Sequence, residues 1–315
     1  MAESPELSVV LPTLDEAEGL RALLPRLKDL FERLGLRGEI LVIDGGSKDE
    51  TAELARSHGA QVMRQQGKGF GSAVREGLHA ARAEWVAILD ADGSHAPEDL
   101  ERFWARRKEA ALIVGSRYCR GGSAEMPLSR QVLSRALNMV SRRVLDLPVR
   151  ESSSGFRLYH GPSVRAVPCA ATDFSVQQDL LVGLLARGGR VVEEPIHYSP
   201  RVGGASKANA WKLAPAYVRL LLRLKPLRGG WRSEARLGVV LLASAVVGGP
   251  SLAAGTLLVH ETARLRAGPR PALAVAVLWA LAPLTGVPLA SAHVSVGILA
   301  VFLLAATLDS VFPKD

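Results

Sequence analysis

Only two cysteines, Cys119 and Cys169, occur in 315 residues, and neither belongs to a CxxC pair or a Cys/His cluster at zinc spacing. That excludes a disulfide-stapled scaffold and a structural zinc site, and it suits a reducing compartment. The amino terminus, MAESPELSVVLP, lacks a basic n-region and a long apolar core, so no cleaved leader is expected. No nucleic-acid docking motif is present, which argues against reading the net charge of +8 as a sign of DNA or RNA binding. Disorder is excluded as well, because 48% of the residues are hydrophobic and can form a sizeable core.

The distribution of charge says more than its sum. Residues 1–116 hold 15 Lys and Arg against 20 Asp and Glu, residues 117–236 hold 20 against 8, and residues 237–315 hold 4 against 3. The basic belt therefore borders a part of the chain that is almost without charge. Segments 237–259 and 271–308 carry none, and at about 20 residues per crossing the second alone can supply two spans. This predicts a helical membrane domain over 237–315 with two to three spans. The arginines of 263–270 belong on the cytoplasmic side by the positive-inside rule, together with the basic belt. Three simple spans conflict with that, and one resolution is a re-entrant hairpin at 237–259, broken by Gly-Gly-Pro at 248–250 and followed by two full spans; the sequence leaves the topology open. The stretches 129–145 and 211–228 have the pattern of basic amphipathic helices, and 211–236 is expected to be an interfacial segment. The expected location is an integral membrane protein with its catalytic domain on the cytoplasmic face.

Residues 7–116 alternate short apolar runs with amphipathic stretches. LSVVLP, EILVID, AQVMR and WVAILDAD read as strands, and 17–34, 49–58 and 71–82 read as helices. The alternation predicts an α/β fold of βαβ units, with a parallel sheet and helices on both faces. Ligands of such sheets bind beyond the carboxyl ends of the strands, which singles out PTLDE (12–16), DGGSKDET (44–51) and DADGSH (90–95). All three loops carry carboxylates. Asp90 and Asp92, two apart on a turn, can present oxygens to one hard divalent cation, or one of them can cap the helix expected near Pro97. His95 reads as a substrate contact or a loop-surface residue rather than a ligand, because hard-oxygen sites rarely need imidazole.

The blocks VVLPTLDE, VIDGGSKDET, GKGFGSAVREGL, LDADGSH, GSRYCRGG, SSGFR, FSVQQDLL and SPRVGGASK follow one another over residues 8–207. In this order and spacing the chain resembles family 2 glycosyltransferases, in particular those similar to dolichol-phosphate mannose synthase and its bacterial polyprenyl-phosphate relatives. The resemblance implies a GT-A nucleotide-binding fold over 1–210 with membrane helices after it. It also implies inverting transfer of mannose or glucose from a GDP- or UDP-linked sugar to a polyprenyl phosphate. Pro12, Leu14, Glu16, Asp44, Lys68 and Asp90 are implied to meet the nucleotide, and Asp90, Asp92 and Ser94 to hold Mg2+ or Mn2+. Asp92, Arg117, Gln177 and Asp179 are implied as the catalytic set. Arg117, Arg130, Arg201, Ser206 and Lys207 are implied to receive the acceptor phosphate, which would account for a basic belt above a lipid plane.

Three positions depart from the family pattern. DGGS stands where DDGS is frequent, Leu14 where an aromatic is frequent, and Ser94 where mannose synthases often carry glutamine; these bear on base and metal preference. A processive polysaccharide synthase needs a QxxRW-type motif, which the chain lacks. A catalytically silent membrane scaffold would have no use for the Asp90/Asp92 doublet. The expected partners are a nucleotide sugar, a polyprenyl phosphate and the membrane, with a homo-oligomer compatible and nucleic acid excluded.

Overall fold

The four apolar runs of the first ninety residues form β1 (Leu7–Thr13), β2 (Gly38–Asp44), β3 (Gln61–Arg64) and β4 (Trp85–Ile88), which pair in parallel in the order β3-β2-β1-β4. The computed structural model describes residues 4–201 together with Leu220, Leu221, Arg223 and Leu224. β1, β2 and β4 are nearly continuous in apolar residues because both faces of the sheet are covered. On one face Leu7, Val9 and Leu11 share a buried cluster with Leu20, Leu23, Leu24 and Leu27 of α1 (Ala17–Leu34). Each of those helix leucines contributes about 1.5–3 kcal/mol by leaving water. On the other face Val10 and Ile43 meet Gly77 of α3 (Phe70–Ala80). The connection between β2 and β3 holds α2 (Thr51–Ser57).

The second half of the sheet departs from an all-parallel reading. β5 (Leu112–Ser116) points the same way as β4 but does not pair with it. β7 (Arg157–His160) lies between them, antiparallel to both, and β8 (Val191–Pro195) pairs in parallel with β5. The sheet is therefore mixed, in the order β3-β2-β1-β4-β7-β5-β8. Because β7 is reversed, the loop that enters it reaches the same edge that β1, β2, β4 and β5 leave.

A 3-10 turn at Pro97–Asp99 leads into α4 (Leu100–Arg106), and α6 (Gly161–Arg165) and α7 (Val176–Ala186) follow β7. A small parallel pair, β6 (Ser123–Ala124) with β9 (His197–Tyr198), joins the segment after β5 to the segment after β8. By internal packing the chain forms two units, residues 1–131 with 145–207 and residues 132–144 with 208–315. Helix α5 (Leu128–Leu145) supplies the second unit with most of its described residues. Among the described residues no helix is long and apolar enough to cross a membrane. The expected interfacial and membrane segments, 211–236 and 237–315, lie outside the described residues apart from Leu220, Leu221, Arg223 and Leu224.

Candidate active site

Asp90 and Asp92 sit on the turn that leaves β4, and two glycines let other segments close on them. A Cβ on Gly19, in the first turn of α1, would lie 2.1 Å from the Ala91 carbonyl oxygen and 3.0 Å from Asp92 Cα. A Cβ on Gly155, in the loop entering β7, would lie 3.0 Å from Asp90 Oδ1. Helix capping does not explain the doublet, since the turn at Pro97 has no side-chain cap. Asp92 Oδ1 instead accepts the Ser94 N–H at 3.0 Å.

Two guanidiniums come to this turn. Arg201 Nη2 lies 2.9 Å from Asp92 Oδ2, with the Asp92 side chain 6% exposed. The residue implied to meet the acceptor phosphate thus rests on a carboxylate of the doublet. Arg117, at the end of β5, is held by Glu151, whose oxygens accept its backbone N–H and its Nε–H, both at 2.7 Å. Its guanidinium also stands 5.1 Å from the Tyr198 ring centroid, within cation–π range. Glu151 is fully buried and carries no signal in the sequence, because its partner is remote along the chain.

His95 is not a loop-surface residue. It is buried, with ring centroids 5.3 Å from Phe156 and 5.4 Å from Tyr198, and its Nδ1 lies 3.8 Å from Asp90 Oδ2. Burial drives its pKa down to about 4, so the imidazole is neutral at physiological pH.

The loops after β1 and β2 are laced together. Asp15 N–H donates to Ser47 Oγ at 2.9 Å, Lys48 N–H to Asp15 Oδ1 at 2.7 Å, Glu16 N–H to Thr51 Oγ1 at 2.9 Å and Ala17 N–H to Asp49 Oδ2 at 3.1 Å. Asp15 takes φ 54°, which aspartate tolerates better than most residues. This lacing brings Pro12, Leu14, Glu16 and Asp44 to one place, with Leu14 left 44% exposed. Lys68 is exposed on the turn between β3 and α3, where Glu76 accepts the Gln66 and Gly67 N–H groups. Arg130 is exposed near the start of α5. Ser206 and Lys207 lie outside the described residues.

Gln177 and Asp179 occupy the first turn of α7, and both are buried. At the helix start Ser175 makes no side-chain cap, and its N–H goes to the Asp173 carboxylate. Asp179 Oδ2 lies 3.8 Å from the Cys169 thiol. Gln177 is 2% exposed, and among the described residues neither its amide oxygen nor its amide nitrogen has a hydrogen-bond partner.

A hard divalent cation fits the doublet. Asp90, Asp92 and the Ser94 hydroxyl, which is buried without a partner among the described residues, are oxygen donors of the type Mg2+ and Mn2+ take. Among the described residues no group of three or more His, Cys, Asp or Glu gathers for a metal, so the remaining positions would fall to ligand and water oxygens. Burial and then the Asp92 charge push the Asp90 carboxyl up to about 7. A raised folded-state pKa favours the folded protein below the unfolded value of 3.8, and that gain disappears as pH rises through 7. His95 has the opposite sign: its lowered pKa weakens the fold as pH falls from 6.5 toward 4. Comparison with Asp90→Asn separates the two. The melting-temperature advantage of that variant over the wild type in metal-free buffer is expected to grow between pH 5 and pH 8, and Mn2+ is expected to narrow it. A difference independent of pH would remove Asp90 from the charge cluster.

Residues 8–173 match the model of the family described as Glycosyl transferase family 2. The chain is 29% identical to a dolichol-phosphate mannosyltransferase of Pyrococcus furiosus, over 77% of its own length and 70% of that protein. It is 30% identical to an undecaprenyl-phosphate mannosyltransferase of Micrococcus luteus, over 67% and 90% of the two chains. It is 33% identical to a polyprenol monophosphomannose synthase of Mycolicibacterium smegmatis, over 67% and 84%. Among solved structures, glucosyl-3-phosphoglycerate synthase from Mycobacterium tuberculosis with Mn2+, UDP and glucosyl-3-phosphoglycerate superposes with a TM-score of 0.56 at 20% identity, covering 73% of this chain and 82% of that one. At that identity the likeness is one of fold, a GT-A-like α/β domain with a mixed sheet.

Proposed function

Because the chain belongs to glycosyl transferase family 2, and is therefore a glycosyltransferase, we propose that it moves a hexose from a nucleotide diphosphate sugar to a polyprenyl phosphate, with inversion at the anomeric carbon. The names of the three relatives share an isoprenoid phosphate and mannose, which supports this acceptor and puts GDP-mannose first among donors. The observation that carries the reading is a carboxylate doublet with Arg201 paired to Asp92 and Arg117, held by Glu151, close enough to act on the Asp90 charge. Opposite charges are there side by side, one set suited to a metal-held diphosphate and the other to an anionic nucleophile.

A phosphate acceptor is already ionised near neutral pH, so transfer rests on positioning and charge rather than on a strong base. Consistent with this, His95 is buried and neutral. Asp90, Asp92 and Ser94 would hold Mg2+ or Mn2+, which when bound neutralises the leaving diphosphate. Solved neighbours of the same fold hold UDP with Mn2+ or Mg2+, in support of a divalent cofactor. Pro12, Leu14, Glu16, Asp44 and Lys68 hold the nucleotide. Arg117, kept in place by Glu151 and Tyr198, aims its charge at the acceptor, and Arg201 joins it on leaving Asp92. Gln177 and Asp179 orient donor and acceptor.

We assign residues 1–210 to a cytoplasmic catalytic domain, 211–236 to a basic segment at the lipid surface and 237–315 to the membrane. Arg130, Ser206 and Lys207 serve the lipid headgroup beside that surface. The test is to incubate the detergent-solubilised protein with polyprenyl phosphate, Mn2+ or Mg2+, and GDP-mannose, UDP-glucose or UDP-N-acetylglucosamine, and to follow sugar into the organic phase. Metal-dependent transfer from GDP-mannose is expected. No product from any donor, with the protein folded, would overturn the reading.

A further inference from the structure

Arg157, at the start of β7, is among the largest fully buried side chains of the protein, and among the described residues no carboxylate pairs with it. An isolated buried cation is costly, so its surroundings must compensate. They do so with oxygens. Arg157 Nε–H donates to the Ser154 carbonyl at 2.8 Å and Nη2 to the Ser152 carbonyl at 2.6 Å. Nη1 donates to the Gln177 carbonyl at 2.6 Å and to the Tyr159 hydroxyl at 3.3 Å. Charge-assisted bonds to three main-chain carbonyls tie the 151–155 loop to the first turn of α7.

Both segments carry the site. The 151–155 loop begins with Glu151, which holds Arg117, and ends with Gly155, which packs on the Asp90 carboxylate. The other segment is the first turn of α7, whose Gln177 presents a buried carboxamide with two unsatisfied atoms. A buried amide left unpaired is unfavourable, and a ligand hydroxyl or phosphate oxygen would satisfy it. Only a planar fork of five donors reaches carbonyls on two segments at once; a lysine ammonium has three donors on one point. We infer that Arg157 is a positioning residue of the transfer reaction, fixing the Gln177 turn against the loop that holds Arg117 and Asp90. It acts through Gln177 and the loop rather than on a reacting atom. The inference rests on the glycosyl-transfer reading only where turnover is measured.

The experiment compares wild type with Arg157→Lys, which keeps the charge but not the fork. Expected is a fall in kcat of about a hundredfold, since a misplacement of about 1 Å is enough for that. The KM for lipid and the affinity for Mn2+ with GDP should stay within about threefold. Hydrogen exchange should rise in 151–155 and 176–179 together and nowhere else. A kcat within threefold of wild type, or a loss that vanishes when the assay is run well below the melting temperature, would overturn the inference. Should Arg157→Lys fail to fold, hydrogen exchange on the wild type decides: joint opening of 151–155 and 176–179 supports the inference, and independent opening refutes it. Should wild type transfer no sugar, the functional reading fails alone. Exchange then still tests Arg157: joint opening of the two segments upholds the tie, and independent behaviour sinks it.

Discussion

Asp92→Asn is expected to lower sugar transfer about a thousandfold while leaving the melting temperature nearly unchanged. The substitution is chosen because the amide oxygen can still accept the Ser94 N–H, so the turn leaving β4 keeps its shape and only the charge is lost. Without that charge the doublet holds a divalent cation poorly, and binding of GDP or UDP should lose its dependence on Mn2+. The same change releases Arg201, whose partner is Asp92. Transfer and metal-dependent nucleotide binding, measured side by side, check the prediction. Activity within tenfold of wild type would mean that the metal and its diphosphate sit elsewhere.

Arg201→Ala is expected to move metal affinity and catalysis in opposite directions. In the structure its guanidinium rests on Asp92, where a divalent cation would have to compete with it, so its removal should lower the half-saturating Mn2+ concentration about tenfold. The acceptor phosphate would meanwhile lose a charge-assisted partner, and kcat/KM for the lipid should fall about a hundredfold. Calorimetric titration with Mn2+ and a lipid saturation curve read the two effects separately. Loss of both affinities together would show that Arg201 supports the metal site instead of competing for it.

The carboxylates at the strand ends were legible in the sequence, and the reason is local. Asp44, Asp90 and Asp92 stand where apolar runs stop, and in an α/β sheet the ends of strands are where ligands bind. The helices drawn at 17–34, 49–58, 71–82 and 129–145 match α1, α2, α3 and α5 to within a few residues, because 3.6-residue periodicity is a short-range property. What was hidden depends on contacts between distant segments. RLYH gives no sign of running backwards between β4 and β5, since direction is set by strands far from it in sequence. Glu151 beneath Arg117, the three carbonyls on Arg157 and the Phe156 and Tyr198 rings around His95 are likewise invisible to any local pattern. The arginines were identifiable as cations. Which of them already had a carboxylate partner was not.

The reversed strand also bears on how the chain assembles. Residues 7–88 contain every neighbour that β1, β2 and β3 have in the sheet, whereas both neighbours of β5, β7 and β8, come later in the chain. During synthesis the half with Pro12, Asp44, Asp90 and Asp92 can therefore form before the half with Arg117 and Gln177 has any sheet to join. Until β7 arrives, β4 presents an open row of unpaired backbone groups, a template for pairing with another chain. A fragment ending near residue 150 keeps that edge open permanently, so premature termination there yields a species prone to aggregate rather than a smaller enzyme.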